Sequence, residues 1–109
     1  MRDKVLNYLG LAARGRLVAI GYNTCTFMMA KNKVKYIILA EDLAENSKKK
    51  MIAEANKRNV PYGIYGTKED LSHITGKEDS GIFGVTDINL AKAISNEIEN
   101  NQSRLEEVF

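Results

Sequence analysis

Tryptophan is absent, and cysteine, proline and histidine occur once each. With Cys25 alone, no internal disulfide can close, which favours a reducing compartment. His73 alone removes every metal set that needs paired imidazoles. It also has no orienting partner at recognisable spacing, so it reads as a solvated surface histidine. No apolar run approaches the ~20 residues that a membrane helix needs. Met1 to Gly15 carries Arg2, Asp3 and Lys4 and lacks the apolar core of a signal peptide. A cytoplasmic location and no membrane are therefore expected. Gly76-Lys77 is followed by Glu78 and is not a phosphate-binding Walker loop. No Gly-x-Gly-x-x-Gly follows a strand. Glu41 and Asp42 are adjacent on one chain, and such pairs rarely converge on one substrate atom. Catalysis has no support, and no metal or cofactor is expected.

The chain has 109 residues, 44% hydrophobic and 28% charged. That suits one globular domain with a core of its own. The net charge of +2 hides an asymmetry. Residues 1–58 hold 12 Lys or Arg against 5 Asp or Glu, and residues 59–109 hold 4 against 9. A face rich in the first set would attract a polyanion. The alternative is an ordinary mixed surface.

Tyr36 to Ala40 are too few to make a helix core and suit a strand buried on both faces. Glu41 and Asp42 stop that run. Asn46 and Ser47 offer cap oxygens for a helix from about 47 to 58, with Met51, Ile52 and Ala55 on its apolar face. Ligands in open α/β sheets sit at the carboxyl ends of strands, so Glu41 and Asp42 lie near a potential site. Capping and solvating the turn is the plainer use of them. Upstream, Val5, Leu6, Leu9 and Ala13 form one helical face, closed by Arg14-Gly15-Arg16 with Gly15 as the left-handed residue. Leu17 to Ile20 is a short strand. Gly21 breaks it, and Cys25, Met28 and Met29 line a second helix as core filler.

Downstream, Pro61 turns into a strand over Tyr62 to Tyr65. Thr67 with Asp70 is a capping-box pattern for a short helix with Leu71 and Ile74. Residues 76–81 form a polar loop before a strand over Ile82 to Val85. Thr86 or Asp87 caps a last helix with Leu90, Ala91, Ile94 and Ile98 on one face. Residues 1–99 then make one domain, and 100–109 a polar tail, frayed or with one further turn at Leu105, Val108 and Phe109. The order α-β-α-β-α-β-α-β-α predicts an α/β fold with its sheet sandwiched between helices.

The second helix opens with Gly21-Tyr22-Asn23-Thr24. A helix N-terminus presents unpaired N–H groups and suits phosphate. Gly21 lets a backbone approach, and Asn23 can read a base edge or cap the helix. Arg14 and Arg16 lie just upstream and could reach phosphate. Asn23 or Thr24 as a plain N-cap is the competing use.

The element order and several motifs together resemble the kink-turn RNA-binding ribosomal-protein family and its bacterial branch. The motifs are Gly21-Tyr22-Asn23, Ala40-Glu41-Asp42 before Glu45-Asn46-Ser47-Lys48-Lys49-Lys50, Val60-Pro61, Leu71 with Gly76-Lys77, and Gly84-Val85-Thr86-Asp87 through Ala91-Lys92-Ala93-Ile94. The resemblance covers roughly residues 3 to 96. It implies a three-layer α/β/α sandwich around a mixed four-stranded sheet. It also implies a non-catalytic protein that recognises structured RNA, ribosomal or another non-coding RNA, near translation. The implied surface joins the start of the second helix, the turn at Glu41 and Asp42, and the loop at Gly76 and Lys77. In the family, a Gly-x-Asn-Glu helix opening contacts the sheared G·A pairs, and a basic residue one turn on supports it. Gly21 and Asn23 match. Thr24 stands where Glu is usual and Phe27 where Lys is usual. Phe27 could stack on a base, or serve the core or a partner. The loop that normally caps a flipped-out nucleotide with apolar groups holds Lys77, Glu78 and Asp79. The alternative function is a protein-interaction module on the same fold, with its partner at the acidic loop or the tail.

Overall fold

A computed structural model describes residues 3–77 and 80–108, with the backbone alone from 102 onward. The order is α1 (Lys4–Arg14), β1 (Val18–Ile20), α2 (Tyr22–Ala30), β2 (Tyr36–Leu39), α3 (Glu45–Lys57), β3 (Tyr62–Ile64), α4 (Lys68–Thr75), β4 (Ile82–Val85) and α5 (Ile88–Val108). The strands form one mixed sheet in the order β1-β4-β2-β3. β4 is antiparallel to both β1 and β2, and β3 runs parallel to β2 through the α3 crossover. This is the expected α/β fold with a mixed four-stranded sheet.

The strand pleat decides which helices lie on which face. Tyr36, Ile38, Phe83 and Val85 point to one side, where they meet Val5 and Leu9 of α1, Leu71 of α4, and Ile94 and Ile98 of α5. Ile37, Leu39 and Ile82 point to the other, against Cys25 and Met29 of α2 and Met51 of α3. β2 is buried along its whole length, as its unbroken apolar run predicts. Each such side chain is worth about 1.5–3 kcal/mol on burial, so the central strands dominate the core.

Cys25 behaves as the small hydrophobe its setting predicts. Burial pushes its thiol up to about 12, with the Gly84 backbone acting in the opposite direction. Its Sγ donates to the Ala19 carbonyl at 3.3 Å. Gly84 makes room for it, since a Cβ there would stand 3.2 Å from that sulfur.

Local capping departs from expectation in three places. Gly15 closes α1 with φ −88°, and the left-handed position falls one residue later on Arg16 at φ 58°. α3 starts two residues early, so its N-cap is Ala44 and Asn46 and Ser47 lie inside the first turn. α5 runs unbroken through residues 100–103 to Val108. Asn, Gln and Ser cost a helix only a few tenths of a kcal/mol each, too little to predict a break. The side chains of Leu105 and Val108, and Phe109 entirely, lie outside the described residues. Two caps match: Thr67 Oγ1 accepts from the Asp70 amide at 3.1 Å, and Asp87 Oδ2 from the Leu90 amide at 2.9 Å.

Tyr36 gives the fold an alkaline limit. Burial, then the charge of Glu99, raises its hydroxyl from 10 to about 12, against a smaller opposing effect of Ser95. The folded chain therefore keeps a proton that the unfolded chain has lost. This stabilisation is intact below pH 10 and disappears as pH rises towards 12. The urea midpoint should fall more steeply over that window in the wild type than in Tyr36→Phe. Parallel curves would remove Tyr36 as the cause.

Candidate nucleic-acid interface

β1, β2 and β3 end at one edge of the sheet, and β4 begins there. Backbone hydrogen bonds stitch their loops side by side. The Gly21 amide donates to Ile82 O at 2.9 Å, Ala40 to Gly81 O at 2.9 Å, and Glu41 to Gly66 O at 2.7 Å. The start of α2, the turn at Glu41 and Asp42, and the end of the 76–81 loop are thus neighbours.

Gly21 is the N-cap of α2, at φ 95° and ψ 159°, with no side-chain cap. That backbone region is essentially restricted to glycine. A Cβ there would meet nothing within 4 Å, so the space beside it is open. Asn23 and Thr24 lie within the first turn instead of capping it, and both are exposed. Phe27 follows one turn after Asn23 and is 59% exposed, which excludes it from the core. The Lys31 ammonium sits 4.6 Å from its ring centroid. Asn23, Phe27 and Lys31, four residues apart, share one helical stripe.

Asp42 does cap a helix, but a distant one. Its Oδ1 accepts from the Lys68 amide at the start of α4, at 2.8 Å. Lys48 Nζ reaches the Glu41 carbonyl at 2.7 Å and Glu45 at 3.7 Å. Gly76 ends α4 in the left-handed conformation. Ser72 pins the following loop: its hydroxyl donates to Ser80 O at 2.9 Å and accepts from the Ser80 amide at 3.0 Å. A cleft of about 650 Å³ opens here, lined by Asp42, Lys68, His73, Gly76 and Lys77 among others. Lys77 is exposed, as is His73. Glu78 and Asp79 lie outside the described residues. Next to this cleft edge, Tyr65 donates its hydroxyl to Asp3 Oδ2 at 2.6 Å, while Asp3 Oδ1 caps α1 at the Leu6 amide. Burial and the Asp3 carboxylate hold the Tyr65 hydroxyl above its usual range.

Arg14 and Arg16 do not join this edge. The Leu17 carbonyl accepts from Thr86 beyond the end of β4, whereas Gly21 bonds Ile82 at its start. β1 therefore separates the backbone of these arginines from the α2 mouth, and the Arg14 guanidinium turns back along α1 to lie beside Gly10. At about 3.3 Å per residue, the path from Arg16 to Gly21 spans about 16 Å. The expectation that these arginines flank the mouth is corrected. The mouth edge instead gathers Lys48, Lys68 and Lys77 beside Glu41, Asp42 and Glu69. Lys48 was visible in its Lys run, and Lys68 only as the residue after a cap. Nothing local marked Ser72 as a loop anchor.

Among the described residues, no three His, Cys, Asp or Glu side chains could hold a metal ion. No described helix is long and apolar enough to cross a membrane.

Residues 3–95 match the Ribosomal protein L7Ae/L30e/S12e/Gadd45 family. This chain belongs to that family. Its similarity to bacterial members is broad. It is 29% identical over 98 residues to the RNA-binding protein YlxQ of Enterococcus faecium, covering 90% of this chain and 94% of that one. It is 31% identical over 86 residues to the RNA-binding protein YlxQ of Bacillus subtilis, covering 79% and 86%. A protein of unknown function from Bacillus halodurans superposes with a TM-score of 0.86 at 26% identity, over 90% of this chain and 99% of that one. The Giardia lamblia 15.5kD RNA binding protein superposes with a TM-score of 0.73 over 94% and 92%, and its 15% identity speaks to the fold alone. Within the L7Ae family this chain is YlxQ-like, in the bacterial branch that its motifs suggest.

Proposed function

We propose that this chain binds structured RNA of the kink-turn type, without catalysis, through the mouth of α2 and the two loops beside it. The relatives named RNA-binding protein YlxQ support the ligand class. The observation that carries the site is the opening of α2. Gly21 leaves clear space, no side chain caps the first turn, and the Asn23 side chain stands exposed within it. The first-turn amides offer donors to phosphate, and the helix dipole adds partial positive charge. The Asn23 amide pairs a donor with an acceptor, which suits a base edge. Thr24 makes a shorter reach than Glu. Phe27 presents an exposed ring, with the Lys31 ammonium over one face, to a base that unstacks.

Asn23→Ala should weaken binding to a kink-turn RNA about 5- to 150-fold, the loss expected for one base-reading side chain. Its exposed position should keep the stability change within about 0.5 kcal/mol. Binding is measured beside the same RNA with its G·A pairs replaced by Watson–Crick pairs. Equal affinity of wild type and variant for both RNAs would refute the assigned mouth. Recovery of a protein partner after nuclease treatment, with no RNA affinity at moderate salt, would replace this reading with a protein-interaction module.

A further inference from the structure

The edge of the sheet opposite the α2 mouth gathers a group of exposed cations that no described carboxylate pairs. α1, α2 and α3 all end there, each closed by a left-handed residue that is not glycine: Arg16, Asn32 and Asn59. β2 and β3 begin there and β4 ends there. The topology thus delivers Arg14 and Arg16 from α1, Lys31 and Lys33 from α2, Lys35 from the start of β2, and Lys57 from the end of α3, with the Lys31 ammonium lying back over Phe27 and Lys35 Nζ donating to the Asn32 carbonyl. All six are exposed, and none pairs with a carboxylate among the described residues. The other charges at this end offset each other. Arg58 pairs with Glu54 at 3.4 Å, and Lys92 shares the start of α5 with Asp87.

Lysines and arginines at helix C-termini also serve the helix dipoles. Each C-terminus is worth about −0.5 elementary charge, so three account for about −1.5. Six cations exceed that by about 4.5 charges. The excess is too large to be helix capping alone. It spans the sheet from β1 to β3, three strand spacings or about 14 Å, and within that span the Asp87 carboxylate is taken up by the Leu90 amide at the start of α5. Cations drawn from three helix ends along such a span suit a ligand with repeating negative charge better than a compact anion.

We infer that this edge is a second RNA-contacting surface, which grips phosphate backbone independently of sequence while the α2 mouth, on the opposite edge, reads structure. Its position allows one RNA to fold around the domain or two RNA segments to be held together. The inference does not depend on kink-turn recognition at Asn23.

The test compares wild type, Asn23→Ala and the fourfold variant Arg14→Gln, Arg16→Gln, Lys33→Gln, Lys35→Gln. The probes are a plain RNA duplex, a kink-turn RNA and polyglutamate. Glutamine keeps the aliphatic stems, and thermal melts check folding. For the duplex, the slope of log K against log salt should flatten by about 0.7–0.9 for each phosphate that is no longer neutralised, hence by two or more in the fourfold variant. Asn23→Ala should leave that slope unchanged. The pair Lys33→Gln, Lys35→Gln should give about half the change and serves if the fourfold variant does not fold. A slope and duplex affinity equal to wild type would overturn the inference. So would loss of polyglutamate binding with RNA binding intact, which would mark an acidic protein as the ligand. Loss of duplex binding with Asn23→Ala silent on kink-turn RNA would sink only the mouth and leave this surface standing.

Discussion

Phe83→Ala should destabilise the domain by about 3–5 kcal/mol. Phe83 is the largest fully buried side chain among the described residues and lies on β4, one of the two strands paired on both edges. Its ring points into the cluster where β2 and β4 meet α1, α4 and α5. Truncation removes apolar area and leaves a void that three helices cannot close together. Domains of this size hold about 5–15 kcal/mol in total, so the loss is a large share of stability. The effect should extend to the site, because the Ile82 carbonyl beside Phe83 accepts the Gly21 amide. Urea unfolding reads the loss as a shifted midpoint at unchanged slope. A change below 1 kcal/mol would mean that the central strand carries less of the core than its burial indicates.

Signals confined to a few neighbouring residues were legible in the sequence. The apolar run at 36–40 gave β2, Thr67 with Asp70 gave the cap of α4, and Thr86 or Asp87 gave the cap of α5, which the structure assigns to Asp87. The alternation of elements was enough for the α/β class, and the motifs for the family. What could not be read depends on partners far along the chain. Asp42 caps a helix that begins 26 residues later, so the capping expected of it acts at long range and not on the helix that follows. Arg14 and Arg16 are close to Gly21 in number, but a strand consumes that spacing and carries them to the other edge. Charge asymmetry along the chain did become asymmetry in space. Much of it collected at the helix C-termini, away from the mouth, because three helix–strand connections of the basic half return to the same end of the sheet, while Lys48, Lys49 and Lys50 stay near the start of α3 on the mouth side. Phe27 shows the limit of composition: an aromatic residue beside core methionines is exposed because it lies on the stripe of α2 opposite Cys25 and Met29.

Gly63→Ala should be the most damaging single methyl group in the chain, and Tyr36→Phe should partly rescue it. Gly63 is in β3, between the exposed Tyr62 and Ile64. The Tyr36 ring lies across it from the neighbouring strand. A Cβ at position 63 would overlap the Tyr36 hydroxyl oxygen and stand 3.2 Å from Cζ and 3.3 Å from Ile98 Cδ1. The hydroxyl cannot simply move aside, because Tyr36 is only 4% exposed and α5 covers it. Overpacking of this kind costs about 1–3 kcal/mol. β3 is an edge strand, and outward displacement is its cheapest relief. That displacement would strain the Tyr65 and Glu41 bonds that carry β3 into the site edge. Removing the hydroxyl clears the worst overlap and leaves two close approaches that a few tenths of an ångström would relax. A double-mutant cycle should therefore show Gly63→Ala and Tyr36→Phe to be less damaging together than their sum, with a coupling of about 1 kcal/mol or more. Additive losses would show that β3 escapes the clash by moving as a whole, and the glycine would then be needed for the position of the strand more than for the tyrosine.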